Sequence, residues 1–394
     1  MNKPSHGDDY ANDITPAEIE EAVRWRRHLH ARPELAFEEH ETSAFVAREL
    51  AGFGYEVHTG LGRTGVVGTL RKGSGSRTIG LRADMDALPI LEATGVDYQS
   101  RVPGKMHACG HDGHTATLLA AARLIARTPF DGTVHLIFQP AEENEGGARE
   151  MIADGLLRLF PLDAAYGMHN WPGMDVGICA VREGPMMAAS GTFEITVAGR
   201  GAHGAMPHQG ADPVVAASAV VGALQTIASR NVPPIEAGVV SVTQIHGGDT
   251  WNVIPEAVVL RGTTRWFRDA VGEVVRERLH TLAASVAAGY GCRADVVHKD
   301  GYPATVNNDA NVAVVRQVAA RPEVGLRIAE FDLNTASEDF AFILREVPGA
   351  YFMLGGKREG ENPNLHSPRF DFNDAIIPHG ARFWRELVRV SLPA

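Results

Sequence analysis

The chain has 394 residues, of which 44% are hydrophobic, so it can form a large core and more than one domain. Its formal net charge of −11 argues against nucleic acid or an anionic membrane as a partner. Three cysteines far apart in sequence imply no disulfide framework, and the polar, acidic N-terminal stretch has no apolar segment typical of a secretory signal. We therefore expect a soluble, cytoplasmic protein.

The first half of the chain has the pattern of an α/β protein. Thr15 and Glu18 have the spacing of a capping box, with Pro16 at the first helical position, which predicts a helix to about Ala31. The predicted elements that follow are GVVGTLRKG, RTIGLRADM, a helix from His114 to Arg127, TVHLIFQP, a helix from Gly147 to Leu157, and DAAYGMHN. Strands that alternate with helices predict a mostly parallel sheet flanked by helices.

A different pattern begins near Met186 and ends near Gly301. Its predicted elements are TFEITVAG, a helix from Asp212 to Ser229, GVVSVTQIHGG, AVVLRGTTRWF, a helix from Asp269 to Gly289, and CRADVVHKD. This β-α-β-β-α-β order predicts an inserted ferredoxin-like domain at 188–300, between two parts of an α/β domain at 15–187 and 301–394. The most apolar helix candidate, Pro213 to Ala228, is too short to span a bilayer.

Residues 106–114 carry four side chains that can bind a metal. The segment reads MHACGHDGH, and it contains one cysteine and three histidines. Thiolate and imidazole groups at short spacing are typical ligands of Zn²⁺ and similar ions, and Cys109 and His111 are close enough in sequence to reach one ion. The alternative is a His-rich surface loop without a metal.

An acidic pair, Glu142 and Glu143, follows the predicted strand TVHLIFQP. Adjacent side chains in extended backbone point in opposite directions, so one carboxylate could bind a metal while the other faces water. Metal-assisted hydrolysis needs this division between a ligand and a base. Taken alone, however, two adjacent glutamates are more typical of an acidic surface turn.

Other candidates also follow predicted strands. His169 lies in GMHN, His366 in NLHSP, and Asp84 and Asp86 at the end of RTIGLRADM, where Asp86 could orient a ligand imidazole. Each signal is weak by itself, because a single buried histidine is more often a hydrogen-bonded core residue. Open α/β sheets bind ligands at the carboxyl ends of their strands, so the joint occurrence favours a metal site.

Several motifs together resemble the dinuclear metal amidohydrolases of the aminoacylase–carboxypeptidase family. The motifs are LRADMDALPI, MHACGHDGHTA, FQPAEENEGGA, GMHN, GRGAHGAMPH, NVIPEAVVLRGTTR, SEDF and NLHSP. They cover the chain after its N-terminal tail, and the CGHD segment is similar to the branch of hippurate hydrolase and the indoleacetyl-amino-acid hydrolases.

The resemblance implies a set of roles for residues of this chain. The ligands of two divalent ions would be Cys109, His111, Glu143, His169 and His366. Glu142 would be the general base and proton shuttle. The inserted domain would be a lid that also mediates formation of a homodimer. Its His203 would polarise the scissile carbonyl in the partner subunit's site. Asn252 and Arg265 would hold the substrate, and Arg265 would do so by binding the carboxylate of the substrate.

The predicted reaction is therefore hydrolysis of the amide bond in an N-acyl amino acid, which releases a carboxylic acid and a free amino acid. The sequence leaves open the acyl group, which could be acetyl, benzoyl, indoleacetyl or longer, and the metal, which could be Zn²⁺, Mn²⁺, Co²⁺ or Ni²⁺. Two alternatives remain: an amidase that uses Cys109 as a nucleophile, and a non-catalytic binding protein that retains the fold.

Overall fold

The computed structural model describes residues 13–143 and 145–394. These residues form two compact units. The first unit contains residues 13–184, 306–332 and 339–394, and the second contains residues 185–305 and 333–338. Each unit has its own core of buried apolar side chains. The role of the second unit as a lid and dimerisation domain stays a prediction.

The first helix begins at the predicted capping box. The Thr15 hydroxyl accepts a hydrogen bond from the Glu18 N–H, and the Glu18 carboxylate accepts one from the Thr15 N–H. These contacts satisfy two backbone donors that the first helical turn would leave free. The predicted start of this helix is confirmed.

The elements of the first unit before the chain enters the second are α1 (Pro16–His30), α2 (His40–Gly52), β1 (Glu56–Leu61), β2 (Gly65–Lys72), β3 (Thr78–Asp84), α3 (His111–Arg127), β4 (Gly132–Gln139), α4 (Gly147–Ala153), α5 (Leu156–Leu159), β5 (Ala164–Trp171) and β6 (Ile178–Val181). The strand β7 (Gly184–Met187) follows at the crossing.

Two of these helices differ from prediction. The helix α3 begins at His111, three residues earlier than predicted, so this histidine lies in the first turn of a helix. The single helix predicted from Gly147 to Leu157 is two helices, α4 and α5. Gly155 separates them with a φ of 101°, a left-handed conformation that ends an α-helix.

The elements of the second unit are β8 (Ala189–Ala198), β9 (Ala202–His203), α6 (Pro213–Thr226), β10 (Gly238–His246), β11 (Val253–Ile254), β12 (Ala257–Trp266), α7 (Asp269–Gly289) and β13 (Arg293–Asp300). The four long strands form an antiparallel sheet in the order β10-β12-β8-β13, and α6 packs against α7. The chain order of these six long elements is the predicted β-α-β-β-α-β order.

Together with the turn that follows it, the helix α6 ends at Asn231, beyond the predicted end at Ser229. Asp212 caps its first turn through the Val214 N–H, and the helix continues as a π-helical turn, Ile227–Asn231. The resulting 19 residues, Pro213–Asn231, are long and apolar enough to cross a membrane by length and composition, so the expectation that this helix is too short was wrong. The core helix of a soluble protein meets the same criteria, and one face of α6 is buried in the core of the second unit.

The chain returns to the first unit through β14 (Thr305–Asn307) and then forms α8 (Asp309–Ala319), β15 (Arg327–Glu330), α9 (Ala341–Glu346), β16 (Gly349–Gly355) and α10 (Ile376–Ser391). The sheet of the first unit has the strand order β1-β2-β4-β3-β5-β16-β6-β15. Its four central strands, β4, β3, β5 and β16, are parallel and almost entirely buried. The predicted fold class, a mostly parallel sheet flanked by helices, is confirmed.

Candidate functional site

The candidate site lies where neighbouring parallel strands of the first unit end. Asp84 is the last residue of β3, and Asp86 follows two residues later. Glu142 follows the end of β4, and His169 lies near the end of β5. Because β4, β3 and β5 are adjacent and parallel, their carboxyl ends meet at one edge of the sheet, as expected for a ligand site in an α/β protein.

The structure brings the predicted metal ligands of the first unit together. Three overlapping groups of side chains have potential ligand atoms within 4.8 Å of one another: Cys109, His111 and His169; Cys109, Glu143 and His366; and His111, Glu142 and Glu143. Together these groups contain all five predicted ligands and the predicted base.

Two direct contacts link the ligands. The Cys109 Sγ atom lies 3.4 Å from His169 Nε2, and His366 Nε2 lies 3.1 Å from a Glu143 carboxylate oxygen. The His366 backbone N–H also donates to the carbonyl of Ala108, so this loop is tied to the segment that carries Cys109. Residues far apart in sequence therefore meet at one place.

Asp86 fixes His111 and the acidic pair at once. Its side-chain Oδ1 atom and its backbone carbonyl lie 3.1 Å and 2.9 Å from His111 Nδ1, and its Oδ2 atom accepts the Glu143 N–H at 2.9 Å. The His111 Nε2 atom is buried and has no hydrogen-bond partner. A buried nitrogen without a partner is costly, so its position beside other ligand atoms fits a metal ion.

The electrostatics of the site follow from burial and from nearby carboxylates. Burial would lower the pKa of His111, but the charges of Asp84 and Asp86 outweigh burial and raise it to about 10. Burial holds the pKa of His169 well below its usual range, which favours the neutral imidazole. Burial and the charges of Glu143 and Glu142 raise the pKa of the Cys109 thiol well above its usual range.

The donor set matches the chemistry of a two-metal site. It combines one thiol, imidazole nitrogens and carboxylates, all buried except the partly buried Glu143 and the exposed His366, and such mixed sets bind borderline-soft divalent ions. The buried Nε2 atom of His111, which makes no hydrogen bond and lies 3.6 Å from an Asp84 carboxylate oxygen, points to the same conclusion. The residues present therefore fit divalent metal ions.

A buried chain of polar groups behind the ligands had no predicted role. His114 Nδ1 lies 2.6 Å from Asp84, and His114 Nε2 lies 2.6 Å from the side-chain oxygen of Asn170. The Asn170 side chain packs on Gly110, where a Cβ atom would lie only 2.3 Å from the Asn170 side-chain oxygen. The backbone carbonyl of Asn170 lies 2.7 Å from His169 Nδ1. His114 is one of the four side chains of 106–114 that can bind a metal, but its contacts with Asp84 and Asn170 were not predicted.

The remaining predicted residues belong to the second unit. His203, on β9, pairs with Val253 of β11, and the Gly204 N–H donates to the carbonyl of Asn252 at 2.7 Å. His203 and Asn252 are exposed neighbours. Arg265, on β12, is half-buried and donates to the carbonyl of Thr335 at 3.2 Å.

Comparison with known proteins decides the family. A sequence model described as peptidase family M20/M25/M40 matches residues 80–390. The chain belongs to this family. The resemblance to metal amidohydrolases of the hippurate hydrolase branch is confirmed by this family together with its relatives, which include a hippurate hydrolase.

The M20/M25/M40 relatives cover most of the chain. It is 41% identical over 363 residues to an N-acetyl-L-cysteine deacetylase of Bacillus subtilis, covering 92% of this chain and 86% of that protein. It is 40% identical over 365 residues to a hippurate hydrolase of Campylobacter jejuni, covering 92% of this chain and 94% of that protein. A solved structure described as a dinuclear metal-binding peptidase of the M20 family from Bacillus subtilis superimposes with a TM-score of 0.85 at 33% identity, covering 96% of this chain and 99% of that one.

Proposed function

We propose that this member of the M20/M25/M40 family hydrolyses the amide bond of N-acyl amino acids and releases a carboxylic acid and a free amino acid. The predicted reaction class is confirmed by the family and by relatives named for removing an acyl group from an amino acid. The observation that carries the proposal is the convergence of Cys109, His111, Glu143, His169 and His366 around Glu142.

Two divalent ions would be held by these five side chains. The related structure described as dinuclear supports this assignment, and so does the buried Nε2 atom of His111, which makes no hydrogen bond. When bound, the ions would supply Lewis-acid polarisation of the amide carbonyl and would acidify water near neutral pH. Zn²⁺, Mn²⁺, Co²⁺ and Ni²⁺ are all compatible with the donor set.

Glu142 would act as the general base and then as the acid. It is buried beside His111 and Glu143, where its carboxylate can take a proton from the attacking water and return it to the leaving amine. Asp86 would hold His111 in place through the Nδ1 contact.

The second unit would complete the site. His203 would polarise the scissile carbonyl in the partner subunit's site of a homodimer, and stabilisation of a developing oxyanion often contributes most to the acceleration of acyl transfer. Asn252 and Arg265 would bind the substrate, Arg265 through the amino acid carboxylate. The exposure of His203 and Asn252 leaves both side chains available for such contacts. A cytoplasmic location remains part of the proposal.

The alternatives have less support. A cysteine-nucleophile amidase would use Cys109 with His169, whose Nε2 atom is 3.4 Å away, but burial raises the pKa of this thiol and disfavours the thiolate. That mechanism would also leave His366, Glu143 and Glu142 without roles. A binding protein without catalytic activity would need neither the complete ligand set nor Glu142.

Two arms test the proposed function. In the first, the enzyme is stripped by a chelator and assayed for amino acid release from N-acetyl, benzoyl and indoleacetyl amino acids, before and after each metal is restored. We expect activity to vanish on stripping and to return with metal. Activity that chelation leaves unchanged would instead support Cys109 as the nucleophile.

In the second arm, Glu142→Gln is compared with wild type at full metal occupancy. The amide keeps the shape of the side chain but cannot accept the proton, so we expect kcat to fall by about 1,000-fold or more with metal content unchanged. Glu150→Gln, a change in α4 outside the ligand groups, is the matched control and should keep wild-type kcat. Near-wild-type turnover by Glu142→Gln would refute its role.

A further inference from the structure

Ala141, the residue directly before Glu142, has an unusual backbone conformation. Its φ is 54°, in the left-handed region that a residue with a Cβ atom rarely adopts. This conformation is unfavourable for a non-glycine residue and persists only where surrounding contacts hold it. Ala141 is completely buried, so these contacts must come from the protein.

One of these contacts comes from Glu39. Its Oε1 atom accepts the Ala141 N–H at 2.9 Å and the Phe37 N–H at 3.0 Å, and its Oε2 atom accepts the Thr64 hydroxyl at 2.5 Å. The carboxylate thus joins three segments that are distant in sequence. It is completely buried, and burial raises its pKa to about 7.

The Glu39 carboxylate also contacts or lies next to other residues with a positive φ. Four non-glycine residues in the described ranges have a positive φ: Phe37, Arg63, Ala141 and His366. Glu39 accepts hydrogen bonds from the backbone N–H groups of Phe37 and Ala141. It also accepts one from the hydroxyl of Thr64, the residue after Arg63. Three of these four conformations therefore lie at one buried carboxylate.

Glu39 does not cap its own helix. It occupies the position before α2, where an acidic side chain can accept N–H groups of the first turn, but it makes no such bond. Burial of a carboxylate is costly, and a surface position would avoid that cost. The side chain is instead directed to the segment that precedes Glu142.

Carboxylates hold the backbone on both sides of Glu142. Glu39 accepts the N–H of Ala141, and Asp86 accepts the N–H of Glu143. We propose that Glu39 is a positioning residue that holds Ala141 in its left-handed conformation and thereby fixes the place of the Glu142 carboxylate. This inference rests on the proposed role of Glu142 as the base.

The expected effect follows from the reach of the side chain. Without an acceptor, the Ala141 N–H is buried and unsatisfied, and the backbone relaxes towards a common conformation, which displaces Glu142. A displacement of about 1 Å at a reacting group can lower the rate about 100-fold. Glutamine can still accept both N–H groups through its carbonyl oxygen, whereas aspartate keeps the charge but is one methylene too short.

The experiment compares Glu39→Gln, Glu39→Asp and Glu39→Met in the metal-loaded enzyme. We expect kcat to fall about 10- to 100-fold in the Asp and Met variants, with KM and metal content nearly unchanged, and to stay within about 3-fold of wild type in the Gln variant. Hydrogen exchange of a peptide covering residues 139–143 should speed up in the Asp and Met variants alone.

A second change separates positioning from general damage. Glycine adopts a positive φ without the steric cost, so Ala141→Gly should restore part of the lost kcat in the Glu39→Met enzyme, by several-fold. The control is Glu386→Gln, which alters another buried glutamate, bonded to Arg321 and Arg385, and should change neither kcat nor exchange at 139–143.

The outcomes are distinct. Wild-type kcat in both Glu39→Asp and Glu39→Met, or no recovery on Ala141→Gly, would overturn the positioning role. If Glu39→Met does not fold, Glu39→Asp against Glu39→Gln decides the question. Full activity of Glu142→Gln would refute the proposed function, whereas hydrogen exchange would still show whether Glu39 holds Ala141.

Discussion

The predicted site residues of the two units are held differently, although His366 in the first unit is exposed and Arg265 in the second is half-buried. In the first unit, the buried side chains are those of Cys109, His111, Glu142 and His169. The contact with Asp86 orients the His111 ring, and the contact with the Asn170 carbonyl orients the His169 ring. In the second unit, His203 is exposed and is supported mainly through the backbone pairing of β9 with β11.

The difference follows from the separate tasks proposed for the two sets of residues. Ligands and a base must keep fixed geometry and shed water, which requires a packed surrounding and carboxylates that offset the cost of burial. A residue that meets the substrate only during the reaction can remain in solvent until then. We therefore expect substitutions in the first set to affect metal binding and stability, and those in the second set to affect substrate binding or turnover without loss of metal.

The largest expected effect that tests this contrast is that of His203→Ala. We expect kcat to fall by about 100-fold or more, because one group that stabilises the oxyanion is lost, while the free energy of unfolding changes by less than about 0.5 kcal/mol. Metal content, thermal unfolding and kcat are measured together with His111→Ala, which should lose metal. His246→Ala, another exposed histidine of the second unit, should keep wild-type kcat.

Mixed dimers show in which subunit His203 acts. Co-expression of His203→Ala with Glu142→Gln would place one complete site in each mixed dimer if His203 serves the partner, giving about a quarter of wild-type activity after random pairing. If His203 serves its own subunit, the mixture would remain as inactive as the separate variants.

A smaller effect is expected from a pair of glycine substitutions in helices. A Cβ atom at Gly113 in α3 would lie 2.3 Å from the ring of Phe372, whereas at Gly222 in α6 it would meet no atom within 4 Å. We expect Gly113→Ala to lower the free energy of unfolding by about 1–3 kcal/mol and Gly222→Ala to raise it by about 0.5–1 kcal/mol. Chemical denaturation measures both. Equal effects would contradict the difference in packing between the two helices.

A last expected effect concerns the pH dependence of stability. Burial lowers the pKa of His135 to about 4, below the value near 6.5 of an unfolded chain. The unfolded state therefore binds more protons between these values, so stability present above pH 6.5 is lost as the pH falls towards 4, by at most about 3 kcal/mol. His135→Gln should flatten this dependence in denaturation curves. His298→Gln in the second unit should flatten it less, because Asp300 partly offsets the burial that lowers the pKa of His298.

Local sequence signals predicted the parts of the fold that depend on local chemistry. The capping box of Thr15 and Glu18 places the start of α1, and the dense Cys/His segment marks the cluster that the structure assembles. The break at Gly155 and the early start of α3 at His111 were missed, because an alternating apolar pattern does not reveal left-handed glycines.

The missed site residues depend on contacts over long sequence separations. Glu39 lies 102 positions from Ala141, and His114 lies 56 from Asn170, so no spacing rule could connect them. His203 was named only through the family resemblance, since a Gly-rich turn after a strand has no chemical signature of its own.

Gly110, between Cys109 and His111, is confined by two independent demands. Its φ is 106°, and Asn170 occupies the space where a side chain would begin. Any other amino acid at this position would therefore strain the backbone and displace the Asn170 side chain, which lies 2.6 Å from His114 Nε2. Evolution towards a different metal can therefore change Cys109 or His111, whereas the backbone conformation and the lack of space at Gly110 favour glycine there.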